Sequence, residues 1–356
     1  MDLTAATRSL SSAVSAAAKL LSSRSGLLLR AGRDGLTVGG NDSERAVRLS
    51  SDAVVHTDGE VLVPAGPLAE TLRMLDDDLV RLVVEGSRLA VRVEGGRYAL
   101  PLLSRELHPG LPEMPPKVSE VDGAALVTAL RTVAGTAAKD DALPMFTGVR
   151  VQSFSRELRL TASDRYRMAV ATVPLRSDGE PIDALVPAGL LAETAKQARG
   201  TVGLHGDRTR FGLSWAGVSV TTAVLDAGFL SEKLIDSSTV DTTVEVHADA
   251  LAAAVRRVGV YADDRRVLTL EVGDAYLRLA SSKQDTGEAE ETLKADVSGG
   301  RTSPSFQARY LLDALQGFAG ERVRLDIQPG QRACVIRAVE PGDVELTYYV
   351  MPMLPR

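Results

Sequence analysis

The chain has 356 residues, more than one hydrophobic core usually organises, with apolar (44%) and charged (25%) residues in ordinary soluble-protein proportions. Its formal net charge of −6 argues against a molecule drawn as a whole to nucleic acid, but not against a local basic surface. The one cysteine, Cys334, excludes an internal disulfide and fits a reducing compartment. No run approaches the roughly 20 apolar residues of a membrane span, and the opening MDLTAATRSL lacks the basic-then-apolar layout of a signal peptide. A cytoplasmic protein with no membrane contact is expected.

In chain order, an Ala/Leu-rich stretch with helical spacing covers 5–22. The alternating run GLLLRAG and a turn at RDG (33–35) follow, then a short helix over 66–75 and the strand runs RLVVEG, RLAVRVEG and RYALPLL. The succession starts again with a helix over 124–138, the strand TGVRVQSF, a turn at SDG (177–179) and a helix over 188–199. It starts a third time with a helix over 248–261, the strand VLTLEVGD and a helix over 308–318. The pattern predicts an α+β fold: three tandem copies of a unit with two helices and two sheets. Proline-rich HPGLPEMPPK (108–117) and the short polar DSSTVDTT (236–243) mark the joints, which gives domains 1–117, 118–241 and 242–356.

Direct repeats support the three copies. LVPAGPLAET (62–71) returns as LVPAGLLAET (185–194), and SFQARYLLDAL (305–315) stands where a third copy is due. LTVGGND (36–42) returns as LRLTASD (158–164) and more weakly as LRLASSK (277–283). Self-similarity at a period of about 120 residues leaves no room for a further domain and suggests a scaffold whose shape is its function.

Charge is distributed unevenly along these units. There is no Asp or Glu from Leu3 to Arg33, from Gly123 to Lys139, or from Ala250 to Ala262. Basic residues remain: Arg8, Lys19, Arg24, Arg30 and Arg33, then Arg131 and Lys139, then Arg256 and Arg257. An acidic chain that keeps acids off three equivalent helices is gathering a neutral-to-basic face, able to tolerate phosphates without gripping them.

Catalytic chemistry is not indicated. The sequence has no phosphate loop, no dinucleotide fingerprint and no HExxH, and its four histidines have no metal-ligand spacing. Cys334 reads as a buried strand residue, Asp76–Asp78 as a solvated turn, and Asp42 and Asp164 as turn formers at equivalent places. No metal and no cofactor is expected.

LRLTASDRYRMAV (158–170) and the ending YYVMPMLPR (348–356) resemble the bacterial DNA sliding clamp, the β subunit of the replicative DNA polymerase III. The resemblance runs the whole chain, through MDLT, LPMFTGVRV (143–151), the LVPAG helices, LDAGF (225–229) and SFQARYLLDAL. It implies a head-to-tail homodimer with pseudo-sixfold symmetry, closed into a ring around double-stranded DNA, a processivity factor rather than an enzyme. The acid-poor helices would face the hole, with Arg24 and Lys139 at helix ends. Arg8, Lys19, Arg73, Arg131, Lys196, Arg199, Arg256 and Arg257 are further DNA-facing candidates. The resemblance also implies an apolar pocket where the polymerase, the clamp loader and repair proteins dock short peptides. Its residues here would be Phe146, Ser163, Arg165, Tyr166, Arg167, Met168, Phe229, Leu230, Ile235, Gln307, Tyr310, Val350, Met351, Pro352, Met353 and Leu354. At the dimer contact, edge strands at RYALPLL and VGVYA (258–262) would contribute Tyr98, Leu100, Val260 and Tyr261.

Two stretches depart from the family pattern: the loop GFLSEKLID (228–236) and the tail Leu354-Pro355-Arg356. Both border the expected pocket. They raise the alternative of a specialised clamp paralogue with a remodelled pocket, for example one tolerant of a clamp-binding antibiotic or serving a repair polymerase.

Overall fold

The computed structural model describes residues 1–21, 26–140, 142–229, 239–283 and 287–353. The first stretch of chain forms β1 (Asp2–Ala6), α1 (Thr7–Leu20), β2 (Gly26–Gly32), β3 (Gly35–Asn41), β4 (Arg45–Ser51) and β5 (Val54–Thr57). It continues with β6 (Gly59–Pro64), α2 (Ala65–Arg73), β7 (Leu79–Glu85), β8 (Arg88–Val93) and β9 (Gly96–Pro101). Next come β10 (Lys117–Asp122), α3 (Gly123–Thr136), the one-turn α4 (Pro144–Thr147), β11 (Gly148–Phe154), β12 (Glu157–Ser163) and β13 (Arg167–Pro174). These are followed by β14 (Asp183–Pro187), α5 (Ala188–Thr194), β15 (Thr201–Gly206), β16 (Arg210–Trp215) and β17 (Val218–Ala223). The remainder holds β18 (Thr242–His247), α6 (Ala248–Val258), β19 (Val267–Val272), β20 (Tyr276–Lys283), β21 (Gly287–Lys294) and β22 (Asp296–Gly299). It ends with β23 (Ser305–Gln307), α7 (Ala308–Gln316), β24 (Arg322–Ile327), β25 (Cys334–Ala338) and β26 (Glu345–Val350). Helix accounts for 22% and strand for 48%, the α+β mixture expected.

Every helix except α4 begins on the residue after a strand ends. None of α1, α2, α5, α6 and α7 has a side-chain N-cap. Backbone carbonyls do part of that work: Thr7 N–H donates to Asp78 O, Gly123 to Gly200 O, Ala248 to Glu321 O and Ala308 to Arg266 O. These bonds satisfy donors that a helix start otherwise leaves unpaired. Because the partners are fixed by neighbouring chain, each helix is aimed as it starts.

The chain forms two compact bodies. The first comprises residues 1–123, 177–180 and 196–224, and the second 124–176, 181–195 and 225–356. In the first, one antiparallel sheet runs β5-β1-β7-β8-β9 and a second runs β10-β15-β16-β17-β4-β3-β2-β6. The β17–β4 register, Val218 opposite Leu49 through Thr222 opposite Arg45, joins strands from the first and middle thirds of the sequence. Helix α1 buries Leu10, Ala13, Val14, Ala17 and Leu20, a stripe at helical spacing, and packs against α2, which buries Leu68 and Leu72. Each leucine so buried is worth about 2 kcal/mol of transfer free energy.

The proline-rich segment 105–117 also belongs to this first body, as a strap across the eight-stranded sheet. Leu111 lies against Gly39, where a Cβ would come within 2.5 Å of its Cδ1, and Met114 lies against Gly212. Asn41 Nδ2 donates to Gly110 O at 2.7 Å, and the His205 ring bonds Pro115 O at 3.0 Å. Both glycines leave the space that the strap fills.

The second body holds a nine-stranded sheet, β14-β11-β12-β13-β26-β25-β24-β18-β22, and a four-stranded sheet, β21-β20-β19-β23. Val244, Leu251, Val255, Leu268, Leu311, Leu325, Val335 and the large Tyr348 are among its fully buried side chains. Here β13 pairs with β26, Arg167 opposite Val350 through Thr172 opposite Glu345.

Two local expectations are corrected. VGVYA is not an edge strand: Val258 ends α6, and Gly259–Tyr261 tightens into a 3-10 turn. Leu251, Val255 and Val258 recur at helical spacing and are buried, so packing overrides the β preference of the valines. The strand at that end of the sheet is β21, whose sequence GEAEETLK carries little apolar signal. The helix expected over 188–199 stops at Thr194. The chain must turn there to bring Gly200 (φ +66°) against Gly123, where no Cβ fits.

Candidate functional site

The Asp that recurs in the LTVGGND and LRLTASD repeats builds the turn between β12 and β13. Asp164 Oδ1 accepts from Tyr166 N (3.2 Å) and Arg167 N (3.1 Å), and Ser163 Oγ accepts from Arg165 N (3.2 Å) and donates to Arg167 O (2.8 Å). Arg165 is thereby held at φ +79°. The same device closes β3 to β4: Asp42 Oδ1 accepts from Arg45 N at 2.7 Å and Ser43 sits at φ +76°. Short carboxylate side chains suit this because they satisfy the turn's own amides.

The turn delivers Arg167 into a polar cluster. Its Nε donates to Asp164 Oδ2 (2.9 Å), Nη1 donates to Asp313 on α7, and Nη2 reaches Gly135 O at the end of α3 (3.4 Å). The guanidinium also stands 5.0 Å from the centre of the Tyr310 ring. Burial works against this charge, but Tyr348, Asp164 and Asp313 outweigh it and hold the guanidinium's pKa above its ordinary value. Tyr348 is pushed up to about 12, chiefly by burial, and its hydroxyl bonds Thr136 Oγ1 at 3.2 Å.

An aromatic surface lies beside this cluster. Tyr166, 56% exposed, stacks on Tyr310 with ring centres 6.0 Å apart and planes 16° from parallel. Arg309 lies 4.6 Å over the Tyr310 ring, donates to its hydroxyl (2.7 Å) and to Gln307 Oε1 (2.8 Å). Arg165 stands 4.7 Å over Phe146. The C-terminal tail is tied to the same place: Met351 N–H donates to Tyr166 O (2.8 Å) and Met353 N–H to Ser305 O (2.7 Å). A groove of about 1150 Å³ runs past Tyr166, Arg167 and Tyr310 towards Arg131 and Lys139. A cavity of about 200 Å³ is lined by Pro352, Met353, Phe306, Gln328 and Cys334.

The expected pocket residues therefore divide. Tyr166, Arg167, Tyr310 and Gln307 meet in or beside the groove, while Pro352 and Met353 line the smaller cavity. Met351 is 39% exposed and Phe229 is half-buried. Ser163, Met168, Phe146, Tyr310 and Val350 are buried, Val350 with no exposed surface, so they back the site; Tyr310 lines the groove with only 5% of its surface exposed. Leu230, Ile235 and Leu354 lie outside the described residues. Sequence reasoning missed Asp313 as the partner of Arg167. Tyr310 and Asp313 lie one turn apart on α7, and that spacing was the available signal. Cys334 is a buried thiol, its pKa pushed up to about 12 by burial and then by Asp326, which suits packing and not nucleophilic chemistry.

The basic candidates are placed as follows. In the first body Arg8 and Lys19 are exposed on α1, three helical turns apart and so on one side of it. Arg73 is exposed at the end of α2, and Lys196 and Arg199 are exposed between α5 and β15. In the second body Arg131 is exposed on α3 and Lys139 just beyond it. Arg256 and Arg257 are exposed at the end of α6, where Arg257 is engaged by Glu291 of β21 at 2.5 Å. Arg24 lies outside the described residues. Of the dimer candidates, Tyr98, Val260 and Tyr261 are 46%, 72% and 39% exposed, whereas Leu100 is buried at 8%.

A chain built from strand-to-helix units around long antiparallel sheets has the fold of a DNA-polymerase processivity clamp, and the comparisons with known proteins agree. Family models of the DNA polymerase III beta subunit match as its N-terminal domain over 1–112, its central domain over 120–230 and its C-terminal domain over 238–354. The chain belongs to the DNA polymerase III beta subunit family, the beta sliding clamps. It is a processivity factor without catalytic activity of its own.

The chain is 29% identical to the beta sliding clamp of Streptomyces coelicolor, with 97% of this chain and 96% of that protein covered. It is also 29% identical to the beta sliding clamp homolog GriR of Streptomyces muensis (92% and 91% covered). Identity to the beta sliding clamp of Escherichia coli K12 is 24% (92% and 91% covered). Two solved structures share the fold over the full length of both chains. They are the DNA polymerase III beta subunit of Thermotoga maritima (TM-score 0.92, 22% identical) and the sliding clamp of Bacillus subtilis (TM-score 0.93, 20% identical). The specialised-paralogue alternative is not favoured by these findings. Of the loop that prompted it (228–236), residues 230–236 lie outside the described residues, as does the tail from Leu354.

Proposed function

We propose that two copies of this chain pair head to tail into a ring that surrounds duplex DNA without reading its sequence. In this reading the three clamp domains are 1–117, 118–241 and 242–356. The observation that carries it is a pair of open sheet edges. In the first body β9 ends a five-stranded sheet, and in the second β21 ends a four-stranded one. Open edges carry unpaired N–H and C=O groups and invite another strand. Joined between two copies, they would make nine strands, the number in the longest sheet among the described residues. Charged side chains flank both edges: Arg92 and Arg97 share Glu85 on the first body, and Glu288 and Glu290 alternate along β21, Glu290 engaged by Arg278. Val260 and Tyr261 lie beside that edge, with the Tyr261 ring against Gly287, and are the apolar complement for Tyr98.

Topology then does what affinity need not. A closed ring cannot leave DNA sideways, so Arg8, Lys19, Arg131, Lys139 and Arg256 need only make loose, salt-screened contacts with phosphates. The aromatic and tail residues of the second body would take short peptides of the polymerase, the clamp loader and repair proteins. Tyr166, Met351 and Met353 are the anchors, with the buried Tyr310 behind Tyr166, since a rigid aromatic and adaptable thioethers can supply most of the affinity for several partners. The test is loading on nicked circular DNA. The protein should have the mass of two chains in dilute solution and should stay on the circle through a salt wash. It should be released when the circle is linearised. Retention on linear DNA with free ends would overturn the proposal.

A further inference from the structure

Arg167 was expected to touch the docked peptide. Its surroundings assign it a different task. The side chain keeps only 9% of its surface, and its donors are directed at Asp164, Asp313 and Gly135 O. These belong to three elements: the β12–β13 turn, α7 and the end of α3. The flat guanidinium lies over the Tyr310 ring, on which Tyr166 stacks.

We infer that Arg167 is the positioning residue of the peptide site: it fixes the buried Tyr310 and, stacked on it, the exposed Tyr166 as a preset surface, and does not itself recognise the peptide. The inference rests on the peptide-pocket reading above. A preset surface binds more tightly because fewer rotamers must be frozen on docking. The role needs an arginine. A lysine ammonium is a point charge; it can face one carboxylate, but it cannot span two while presenting a plane to a ring. The main-chain bond from Met351 N–H to Tyr166 O couples the tail to the same geometry, so a displaced turn would also displace the methionine anchors.

The experiment is a peptide titration by fluorescence anisotropy, using a labelled copy of the clamp-binding segment of the cognate replicative polymerase. Full-length protein is used throughout, with circular dichroism as the check on folding. Arg167→Met should weaken binding about tenfold and Arg167→Lys about threefold, with the circular dichroism spectrum kept. Tyr310→Leu should weaken it to a similar extent. The double variant should bind within about twofold of Tyr310→Leu alone, because both changes remove one thing. A contact of its own between Arg167 and the peptide predicts losses that multiply, and that result would overturn the inference. So would Arg167→Met binding as the parent does. If Arg167→Met does not fold, Asp313→Asn decides: affinity reduced about threefold supports positioning, and unchanged affinity refutes it. If the parent protein does not bind the peptide at all, the pocket reading falls and this inference falls with it. A binding parent with an indifferent Arg167→Met sinks only the latter.

Discussion

Replacing Asp164 offers a quantitative check on how the site is held. Asp164→Ala deletes the acceptor of two turn amides, at 3.2 and 3.1 Å, and one of the two carboxylates on Arg167. The amide bonds are worth about 1 kcal/mol each. Losing one carboxylate partner adds about 1 kcal/mol and not the full cost of a bare buried charge, since Asp313 remains on the guanidinium. Solvent screening does not erase this, because the Asp164 and Arg167 side chains are only 13% and 9% exposed. The sum is about 3 kcal/mol. Asp164→Asn keeps an oxygen for the two amides and loses the charge, so it should cost about 1 kcal/mol. Urea denaturation followed by far-UV circular dichroism measures the effect. With a slope of about 2 kcal/mol/M, the alanine variant should move the second body's midpoint down by about 1.5 M. Trp215, the one tryptophan, is buried in β16 of the first body, so its fluorescence reports that body separately. Equal costs for the two variants, or a cost below about 0.5 kcal/mol for alanine, would refute this account of the turn.

Other outcomes are expected. Tyr98→Glu combined with Val260→Glu should halve the mass seen by light scattering at micromolar protein while leaving the circular dichroism spectrum intact; a persistent dimer would place the seam elsewhere. Arg131→Glu with Lys139→Glu should slow loading onto DNA but change the residence time on closed circles by less than about twofold, as expected if retention is topological and not adhesive. A collapse of residence time would reverse that conclusion. The strap should loosen in acid. His108 Nδ1 accepts the Gly110 N–H at 3.1 Å, so this ring must be neutral in the closed strap. Burial and then the Arg105 charge lower its pKa, with Glu60 opposing, so the open strap takes up a proton more readily than the closed one. Closure is complete above the ordinary histidine value of about 6.5 and is lost as pH falls below it. Protection factors over 105–117, that is, exchange corrected for its intrinsic pH dependence, should therefore fall between about pH 6.5 and 5, and His108→Asn should flatten the dependence; protection independent of pH in the parent protein would count against it.

How much of this was legible in the residues alone depended on which way they face. The helices around Leu10–Leu20 and Leu251–Val258 declared themselves, because their buried stripes repeat every three or four positions. The turns at Asp42 and Asp164 did too, because a short carboxylate satisfying its own amides leaves a local signature. The edge strand was harder to see. VGVYA, placed at an edge by resemblance although the helical spacing ran to 261, finishes a helix, and β21 is a strand whose outward positions are charged, so it does not display its state. Leu100, named for the interface, is only 8% exposed within its own sheet. The Arg167–Asp313 pair joins residues 146 positions apart, which no local pattern contains.

The middle third of the sequence is shared between the two bodies: β15–β17 complete the sheet of β2, β3, β4 and β6, and β11–β14 complete that of β24–β26. Covalent modularity and mechanical modularity are therefore out of step. A gene-level exchange that swapped residues 118–241 as a cassette would unzip two sheets at once, exposing β4 on one side and β26 on the other. Drift among relatives should accordingly be correlated across β4 and β17 and across β13 and β26, and chimeras should survive when they are cut inside a sheet's loops, not at the borders of a repeat.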